Sequence, residues 1–277
     1  MTEEICVVVL AAGQGTRLRP LTEHVPKALC PVGNVPLLDG ALGRLARLGF
    51  AGPAAVAVNA WHHADQIVRH VGRRAHLSVE TGPAPYGSAG GLAALRGWIR
   101  GRHVLVGNAD AYLTGGDIAP LLDGWDGDTV RILGVPAGDR RPEFGDRRFA
   151  GFSLVPGKLV AALADEPADL VRAVWRPAEA RSMLRVVTFA GTYLDSGTHA
   201  DYLAANLLAA RSAPDRALVD PDAVVTGSVT DGVVGRDCRV YGRVERAVVW
   251  PGGIVAPDEH LVDAIRYDRD RTVRVGS

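Results

Sequence analysis

Residues 5–12 read ICVVVLAA, a continuous apolar run that stops at a Gly-rich turn, Gly13–Arg17. A strand without a polar face is typical of a parallel sheet that is buried on both sides, because half-exposed antiparallel strands alternate apolar and polar residues. A sheet buried on both sides needs helices on both sides. The start of the chain therefore favours an α/β fold over an all-α or all-β one.

Helix and strand patterns alternate through the first half of the chain. The predicted strands are 54–58, 76–80 and 103–110, and the predicted helices are 37–48, 64–71 and 88–99. The helices carry apolar residues at a 3.6-residue period, and the strands are short apolar stretches between turn residues. We therefore predict an open, mostly parallel, Rossmann-like sheet with helices on both faces.

The carboxyl ends of the predicted strands indicate where a ligand binds. In open α/β sheets, ligands occupy the crevice at those ends. The rule brings four segments around one crevice: Gly13–Arg17, Asn59–His62, Thr81–Gly91 and Asn108–Asp110.

The middle of the chain is less regular. Strands are predicted at 130–135, 149–155, 184–189 and 192–195, and helices after Pro156 and at 199–211. The charged stretch 139–148 is predicted to be a solvated loop. These elements complete an α/β domain over residues 1–212.

The sequence changes character near Ala213. Helical periodicity stops, and aliphatic residues recur six positions apart, from Val234 to Val240 and from Val248 to Ile254. This spacing favours a short left-handed parallel β-helix of hexapeptide coils over residues 213–277, while an ordinary β-rich tail packed on the main domain fits the same residues. Such tails often build contacts between subunits, so we expect a homo-oligomer.

Composition limits the partners of the chain. It has 31 basic and 31 acidic side chains and no formal net charge. Nucleic acid and anionic membranes need a basic surface, so neither is an expected partner, whereas a small anionic ligand needs only a local cluster of charge. No apolar run approaches the roughly 20 residues that span a bilayer. The three cysteines form no CxxC pair, which favours a reducing cytoplasm over a disulfide framework.

Lysine is almost absent from this chain. It occurs only at Lys27 and Lys158, and the other 29 basic residues are arginine. Lys158 follows Pro156 at a junction between loop and helix, where a surface position is expected. Lys27 instead lies close to the Gly-rich turn, in the most motif-like segment of the chain.

The Gly-rich turn Gly13–Arg17 has the features of a phosphate-binding loop. Two glycines let the backbone pass close to a ligand, and successive backbone N–H groups can bind an anion. The dinucleotide-binding fingerprint needs a third glycine where this chain has Leu18, and the P-loop needs Gly-Lys-Ser/Thr at its end. The turn therefore belongs to neither of these classes.

The longer string LAAGQGTRLRPLTEHVPKALCPVGNVPLL, residues 10–38, resembles the N-terminal signature of the sugar-1-phosphate nucleotidyltransferase family. Further matches follow in the order of the family. Gly87–Gly90 resembles the loop over the nucleotide base, Asn108–Asp110 the strand end that binds magnesium, and Phe152-Ser153 the segment beside the sugar. Asp195–Thr198 resembles the motif that supplies a second magnesium carboxylate. The resemblance thus covers most of the chain.

The resemblance implies a role for each matched residue. Arg17 and Lys27 are the expected catalytic residues, and Asp110 and Asp195 the expected ligands of Mg²⁺. Gly151 and Phe152 are expected to bind the sugar. The expected nucleotide-binding residues are Leu10, Ala11, Ala12, Gly13, Gly15, Thr16, Gly87, Ser88, Ala89, Gly90 and Asn108.

Physical chemistry supports these implied roles. The implied reaction joins an NTP and a sugar 1-phosphate to give an NDP-sugar and pyrophosphate. Two polyanions must meet, so the protein has to supply positive charge and alignment. Carboxylates such as Asp110 and Asp195 suit Mg²⁺. The planar guanidinium of Arg17 suits the triphosphate, and the compact ammonium of Lys27 suits the reacting phosphates.

Two of these residues have alternative interpretations. Asp110 could cap a helix, since Leu113 and Asp117 follow nearby. Asp195 lies in Asp-Ser-Gly, which is also a common turn.

The substrates are less strongly encoded. The Glu-Lys-Pro motif that members of the family carry at the sugar site does not occur here. Val58-Asn59 and the loop Gly87–Gly91 look more like the mannose-1-phosphate guanylyltransferase branch and related uridylyltransferases, which favours GTP and a mannose-type sugar phosphate. Uridylyl, thymidylyl or cytidylyl transfer to an unusual sugar phosphate is the alternative. A non-catalytic paralogue that binds nucleotide-sugars and regulates a partner is another.

Overall fold

The computed structural model describes residues 4–211 and 213–276. The chain divides into two compact units. The first runs through Gln14 and includes His24–Ala28 and Leu38–Tyr193, and the second comprises Gly15–Glu23, Leu29–Leu37 and the chain from Leu194 onward. The domain boundary between residues 212 and 213 stays a prediction, and residue 212 lies outside the described residues.

Helices and strands alternate through the first unit, whereas the second unit consists mostly of strands. The strands are β1 (Ile5–Leu10), β2 (Pro31–Val32), β3 (Val35–Pro36), β4 (Val56–Ala60), β5 (His76–Val79), β6 (His103–Asn108), β7 (Ala111–Thr114), β8 (Val130–Pro136), β9 (Arg147–Val155), β10 (Leu184–Thr188), β11 (Thr192–Asp195), β12 (Ala217–Val219), β13 (Val224–Val225), β14 (Ser228–Val234), β15 (Arg239–Val240), β16 (Arg243–Val249), β17 (Ile254–Val255), β18 (His260–Arg266) and β19 (Thr272–Arg274). The α-helices are α1 (Leu37–Arg47), α2 (Ala64–Val71), α3 (Gly87–Ala94), α4 (Arg96–Ile99), α5 (Gly157–Ala161), α6 (Arg176–Ala180) and α7 (His199–Ala210). Short 3₁₀ turns cover Thr16–Leu18, Leu21–Glu23, Lys27–Leu29, Ala119–Leu121 and Pro214–Arg216, and a π-helical turn covers Val171–Trp175.

The first unit is built on a seven-stranded sheet with the order β10-β8-β9-β6-β1-β4-β5. β1 pairs in parallel with β4 and β6, and β4 with β5. β9 runs antiparallel to both of its neighbours, β6 and β8. The prediction of a large, mostly parallel sheet with helices is therefore confirmed.

Both faces of the sheet are covered, as the apolar run at the start of the chain predicted. Successive residues of a strand point to opposite faces, and Cys6, Val7, Val8 and Val9 are all fully buried. Cys6 and Val8 belong to a cluster that includes Leu92 of α3, Leu95 between α3 and α4, and Ile99 of α4. Burial on both faces explains why β1 carries no polar alternation.

Most predicted elements of the first unit lie within one or two residues of the observed ones. The predicted helix 88–99 is divided at Leu95 into α3 and α4. The stretch 139–148 is largely exposed, with Phe144 as a buried exception. The helical segment from Val171 to Ala180 was not predicted, although Val171, Val174, Trp175 and Ala178 have the spacing of one face of a helix.

The second unit contains stacked parallel strands. β12, β14, β16 and β18 pair in parallel, and β13, β15 and β17 form a second parallel ladder. Leu218 lies beside Val233, Val233 beside Val248 and Val248 beside Ile265, so neighbouring strands are offset by 15, 15 and 17 residues. The antiparallel strand β19 pairs with β18.

Each long strand of this stack is interrupted by one residue with positive φ. These residues are Asp231 with φ 50°, Arg246 with φ 46° and Asp263 with φ 46°. The register passes from Thr230–Glu245 to Gly232–Ala247, so the interruptions are stacked on one another. Arg246 donates to both carboxylate oxygens of Asp263, over 2.9 and 2.8 Å.

Helix α7 belongs to the second unit and is fixed there by buried polar side chains. Tyr202 is fully buried and donates to the backbone oxygen of Pro31, while Nε1 of Trp250 donates to the hydroxyl of Tyr202 over 2.9 Å. Oδ1 of Asn206 accepts from the backbone N–H of Gly33 over 3.0 Å. These contacts hold the segment that contains β2 and β3 against the helix.

Within residues 4–211 and 213–276, no helix has both the length and the apolar character needed to cross a bilayer.

Candidate active site

The first unit has a cavity of about 250 Å³ at the carboxyl ends of β1, β4 and β6. Its lining residues are Leu10, Ala11, Ala12, Gly13, Lys27, Ala28, Asn59, Pro85, Gly87, Ser88, Asn108, Ala109 and Asp110. The cavity lies where parallel strands end, as the rule for open α/β sheets predicts. Among the lining residues, Lys27 and Asp110 carry charge.

Lys27 lies in the short turn Lys27–Leu29, and its side chain is only 10% exposed. Its Nζ is 2.5 Å from Oδ2 of Asp110, directly after β6. Lys158 makes an ion pair of the same length with Asp128, but its side chain is 61% exposed. The two lysines of the chain thus form ion pairs of equal length, but Lys27 is buried at the cavity and Lys158 is exposed on the surface.

The Gly-rich turn is divided between the two units. Leu10–Gly13 line the cavity of the first unit. In the second unit, Gly15 has φ 63°, a conformation that glycine adopts without a steric cost. Its carbonyl accepts from the hydroxyl of Thr22 over 2.8 Å and from the backbone N–H of Leu18 over 2.9 Å, which fixes the turn that carries Thr16.

Arg17 and Asp195 lie together in the second unit. Nη2 of Arg17 is 4.0 Å from Oδ2 of Asp195. Gly197 makes this approach possible: an added Cβ there would lie 2.8 Å from Nη2 of Arg17 and 3.0 Å from Oδ1 of Asp195. Thr198 caps α7 through its hydroxyl, which accepts from the backbone N–H of Asp201 over 3.1 Å. The motif Asp195–Thr198 therefore has three parts: Asp195 ends β11 and contacts Arg17, Gly197 leaves room for that contact, and Thr198 caps α7.

The predicted base-binding residues lie at the start of α3, but not all of them reach the cavity. Gly87 and Ser88 line it, whereas Ala89 and Gly90 are buried. The backbone N–H groups of Ala89 and Gly90 donate to the carbonyl of Ala168, over 2.9 and 3.3 Å. Their predicted contact with the nucleotide stays a prediction.

The other predicted residues lie at the ends and in the body of strands. Asn108 is the last residue of β6 and lines the cavity. Gly151 and Phe152 are buried within β9, and neither lines this cavity. Their predicted role in binding the sugar stays a prediction.

Two polar residues lie beside the cavity, Asn59 and Glu80. Sequence reasoning placed Asn59 at the crevice, in the segment Asn59–His62, without giving it a role, and it did not single out Glu80. Asn59 lines the cavity, and Glu80 follows β5; they are 2% and 4% exposed. Nδ2 of Asn59 donates to Oε1 of Glu80 over 2.7 Å. Burial raises the pKa of the Glu80 carboxyl, although hydrogen bonds from Tyr86 and Asn59 oppose this shift. The sequence signal that could have indicated a buried polar contact is Asn59, the one polar residue of the otherwise apolar strand β4.

A parallel α/β sheet with a charged cavity at its strand ends places the first unit among ligand-binding α/β domains of the doubly wound type. Residues 6–126 match the family model described as nucleotidyl transferase. This part of the chain is thus similar to nucleotidyl transferases, as the motifs of residues 10–38 predicted.

Two relatives of the chain are named as nucleotidyltransferases that act on sugar phosphates. The chain is 35% identical over 126 residues to a mannose-1-phosphate guanylyltransferase of Mycobacterium tuberculosis, covering 44% of this chain and 34% of the relative. It is 35% identical over 108 residues to an N-acetylmuramate α-1-phosphate uridylyltransferase of Neisseria meningitidis, covering 37% of this chain and 46% of the relative. The chain thus matches less than half of the length of either relative.

A solved structure shares the fold. The crystal structure of a Bacillus anthracis protein described as a glucose-1-phosphate thymidylyltransferase, in complex with a sucrose, superimposes with a TM-score of 0.63. The match covers 74% of this chain and 95% of that one, at 19% sequence identity. At this identity the likeness concerns the fold.

Proposed function

We propose that the protein is a Mg²⁺-dependent sugar-1-phosphate nucleotidyltransferase that converts an NTP and a sugar 1-phosphate into an NDP-sugar and pyrophosphate. The observation that carries the proposal is the ion pair of buried Lys27 with partly exposed Asp110, in the cavity of the unit that matches the nucleotidyl transferase family model. A buried cation and a carboxylate at the ends of parallel strands suit a reaction between phosphates.

The residues of the chain supply positive charge and alignment. An oxygen of the sugar phosphate attacks the α-phosphorus of the NTP, a new P–O bond forms, and pyrophosphate leaves with the electrons of the broken bond. Lys27 would stabilise negative charge on the reacting phosphates from a site with little water. The proposed role of Arg17 is to bind triphosphate oxygens with its planar fork of donors, and Gly13, Gly15 and Thr16 would bind phosphates through backbone and hydroxyl groups.

The donor set fits Mg²⁺. The proposed ligands, Asp110 and Asp195, offer hard carboxylate oxygens, and each already has a cationic side chain within 4.0 Å in its own unit. Among the described residues, no group of three or more His, Cys, Asp or Glu side chains is arranged to hold a metal. Mg²⁺ is bound by one or two carboxylates together with water and substrate phosphates, so this sparse set suits it. When bound, the ion would neutralise charge on the phosphates.

The proposed substrates are GTP and a mannose-type sugar phosphate. The similarity to the Mycobacterium tuberculosis guanylyltransferase supports this choice. An equal identity to the Neisseria meningitidis uridylyltransferase supports UTP and an unusual sugar phosphate as the alternative. Discrimination between bases depends on a few hydrogen bonds.

We also propose the finer architecture that the sequence predicted. The stacked parallel strands of the second unit support a short β-helix, and the left-handed sense remains part of the proposal. A homo-oligomer in the cytoplasm is the proposed working form, and light scattering that gives the mass of one chain would contradict the oligomer.

The direct test is a pyrophosphate-release assay with each NTP against a panel of sugar 1-phosphates, in the presence of Mg²⁺. We expect turnover with at least one pair, and fastest with GTP and a mannose-type phosphate. Folded protein without turnover on any pair would exclude the enzyme. Tight binding of an NDP-sugar in calorimetry without turnover would instead favour a regulatory paralogue. This is the second candidate function because the segment between β8 and β9 is short.

Replacing Gly197 by Ala tests the role of the Arg17–Asp195 pair. The new Cβ would lie 2.8 Å from Nη2 of Arg17 and 3.0 Å from Oδ1 of Asp195, and because the guanidinium is exposed it can move away without loss of stability. We expect pyrophosphate release to fall about 10-fold while the melting temperature changes little. Gly97→Ala is the matched control, since a Cβ there meets no atom within 4 Å. An unchanged rate in Gly197→Ala would remove Arg17 from the mechanism.

A further inference from the structure

Three hydrogen bonds in series connect four residues beside the cavity. The backbone N–H of Ala11, directly after β1, donates to Oδ1 of Asn59 over 2.7 Å. Nδ2 of Asn59 donates to Oε1 of Glu80 over 2.7 Å, and Oε2 of Glu80 accepts from the backbone N–H of Tyr86 over 2.7 Å. We call these four residues the Asn59–Glu80 relay.

The direction of every bond in the relay is determined by its ends. A backbone N–H can only donate, so Ala11 requires the oxygen of Asn59. An ionised carboxylate can only accept, so Glu80 requires the amide NH₂ of Asn59 and the N–H of Tyr86. Asn59 and Glu80 are almost fully buried, and a buried polar group that loses its partner is costly. The relay therefore holds one arrangement.

The relay joins two walls of the cavity. Ala11 belongs to the wall Leu10–Gly13, and Tyr86 immediately precedes Gly87 and Ser88 of another wall. Gly91 of α3 packs directly on the relay, because an added Cβ there would lie 2.8 Å from Nδ2 of Asn59. The separation of the two walls is thus set through two side chains that come from β4 and from the end of β5.

The wall formed by Tyr86–Ser88 is also hydrogen-bonded to the segment Ala168–Leu170. The N–H of Ala168 donates to the carbonyl of Tyr86 over 3.0 Å, and its carbonyl accepts from Ala89. The N–H of Leu170 donates to the hydroxyl of Ser88 over 2.8 Å. Residues Tyr86–Ser88 are therefore fixed between this segment and Glu80, which makes their position sensitive to the relay.

We propose that Asn59 and Glu80 are positioning residues for the nucleoside triphosphate, and that they act by setting the distance between the wall after β1 and the wall at the start of α3. This inference rests on the proposed function, because it assigns those walls to the nucleotide. The sugar phosphate and the chemical step are not expected to depend on the relay.

Glu80→Gln tests the relay with an almost isosteric change. Gln has one NH₂ group in place of a carboxylate oxygen. Two donors therefore face each other at Tyr86, at Asn59 or, if the Asn59 amide turns over, at Ala11. We expect the KM for the NTP to rise about 10-fold, with kcat and the KM for the sugar phosphate within 2-fold of wild type. Glu179→Gln is the matched control, because Glu179 is an exposed carboxylate paired with Arg176.

The double variant Asn59→Asp/Glu80→Gln restores all three bonds. The new carboxylate at position 59 would accept from Ala11 and from the NH₂ of the new amide at position 80, whose oxygen would accept from Tyr86. We therefore expect the KM for the NTP to return to within about 3-fold of wild type. Recovery would show that the three hydrogen bonds, rather than a carboxylate at position 80 in particular, set the KM, and the double variant keeps the test valid if Glu80→Gln alone fails to fold.

The outcomes separate this inference from the proposed function. Calorimetry with GTP and UTP in the presence of Mg²⁺ is run on wild type alongside the kinetics. Wild-type protein that neither binds nor converts any NTP overturns the proposed function and the inference with it. Active wild type together with an unchanged NTP KM in Glu80→Gln, or a folded double variant that shows no recovery, overturns the inference alone.

Discussion

Lys27→Arg should lower turnover about 100-fold, although it preserves the charge. The ammonium of Lys27 is a compact point charge in a nearly closed site, 2.5 Å from Asp110. A guanidinium is larger and planar, and a side chain that is 10% exposed has little free space around it. Arginine would have to displace its surroundings or point elsewhere, and overpacking costs about 1–3 kcal/mol. The measurement is kcat for pyrophosphate release, with thermal melting as the check on the fold.

Lys158→Arg provides the matched control for this prediction. Its ion pair with Asp128 has the same length, but both side chains are more than half exposed, so arginine is readily accommodated there. We expect kcat within 2-fold of wild type. Similar losses in the two variants would show that the position of Lys27 has no special role, and that the scarcity of lysine in this chain has no bearing on activity.

The location of the cavity could be predicted from the sequence because buried strands leave a local signal. β1, β4 and β6 are short apolar runs, and each ends in a polar or Gly-rich segment. Since parallel strands end at the same edge of a sheet, these segments had to meet. Lys27 was found by its motif alone, since nothing in its local pattern indicates burial.

The relay could not be predicted, because its residues are far apart in the chain. Asn59 and Glu80 are separated by 21 positions, and Asn59 and Ala11 by 48. A Glu after an apolar strand is ordinarily a solvated residue. Only the pairing of β4 with β5 and β1 brings these side chains within hydrogen-bonding distance. The relay therefore depends on the register between β4 and its neighbouring strands, which the local sequence pattern does not contain.

Strand direction and coil length were also beyond the local pattern. β9 is largely apolar like the parallel strands of the sheet, and its antiparallel direction depends on the path of the chain between β8 and β9. In the second unit, positive φ occurs within the long strands at Asp231, Arg246 and Asp263, where glycine or asparagine would be the recognisable residue. The offset of 15 or 17 residues between paired strands was therefore hidden behind an apparent six-residue spacing.

Asp110→Asn should reduce turnover about 1,000-fold. Asparagine has nearly the size and shape of aspartate but no charge, so it would be a weak ligand for Mg²⁺ and a weak partner for Lys27. The side chain of Asp110 is partly exposed, so water limits the loss of stability to about 1 kcal/mol. The control is Asp128→Asn, which removes the carboxylate partner of the other lysine. We expect that variant to remain active, with a similarly small change in melting temperature. The two rates should therefore differ by orders of magnitude although each variant removes one carboxylate from a lysine at 2.5 Å, and retained activity in Asp110→Asn would exclude Asp110 as a metal ligand.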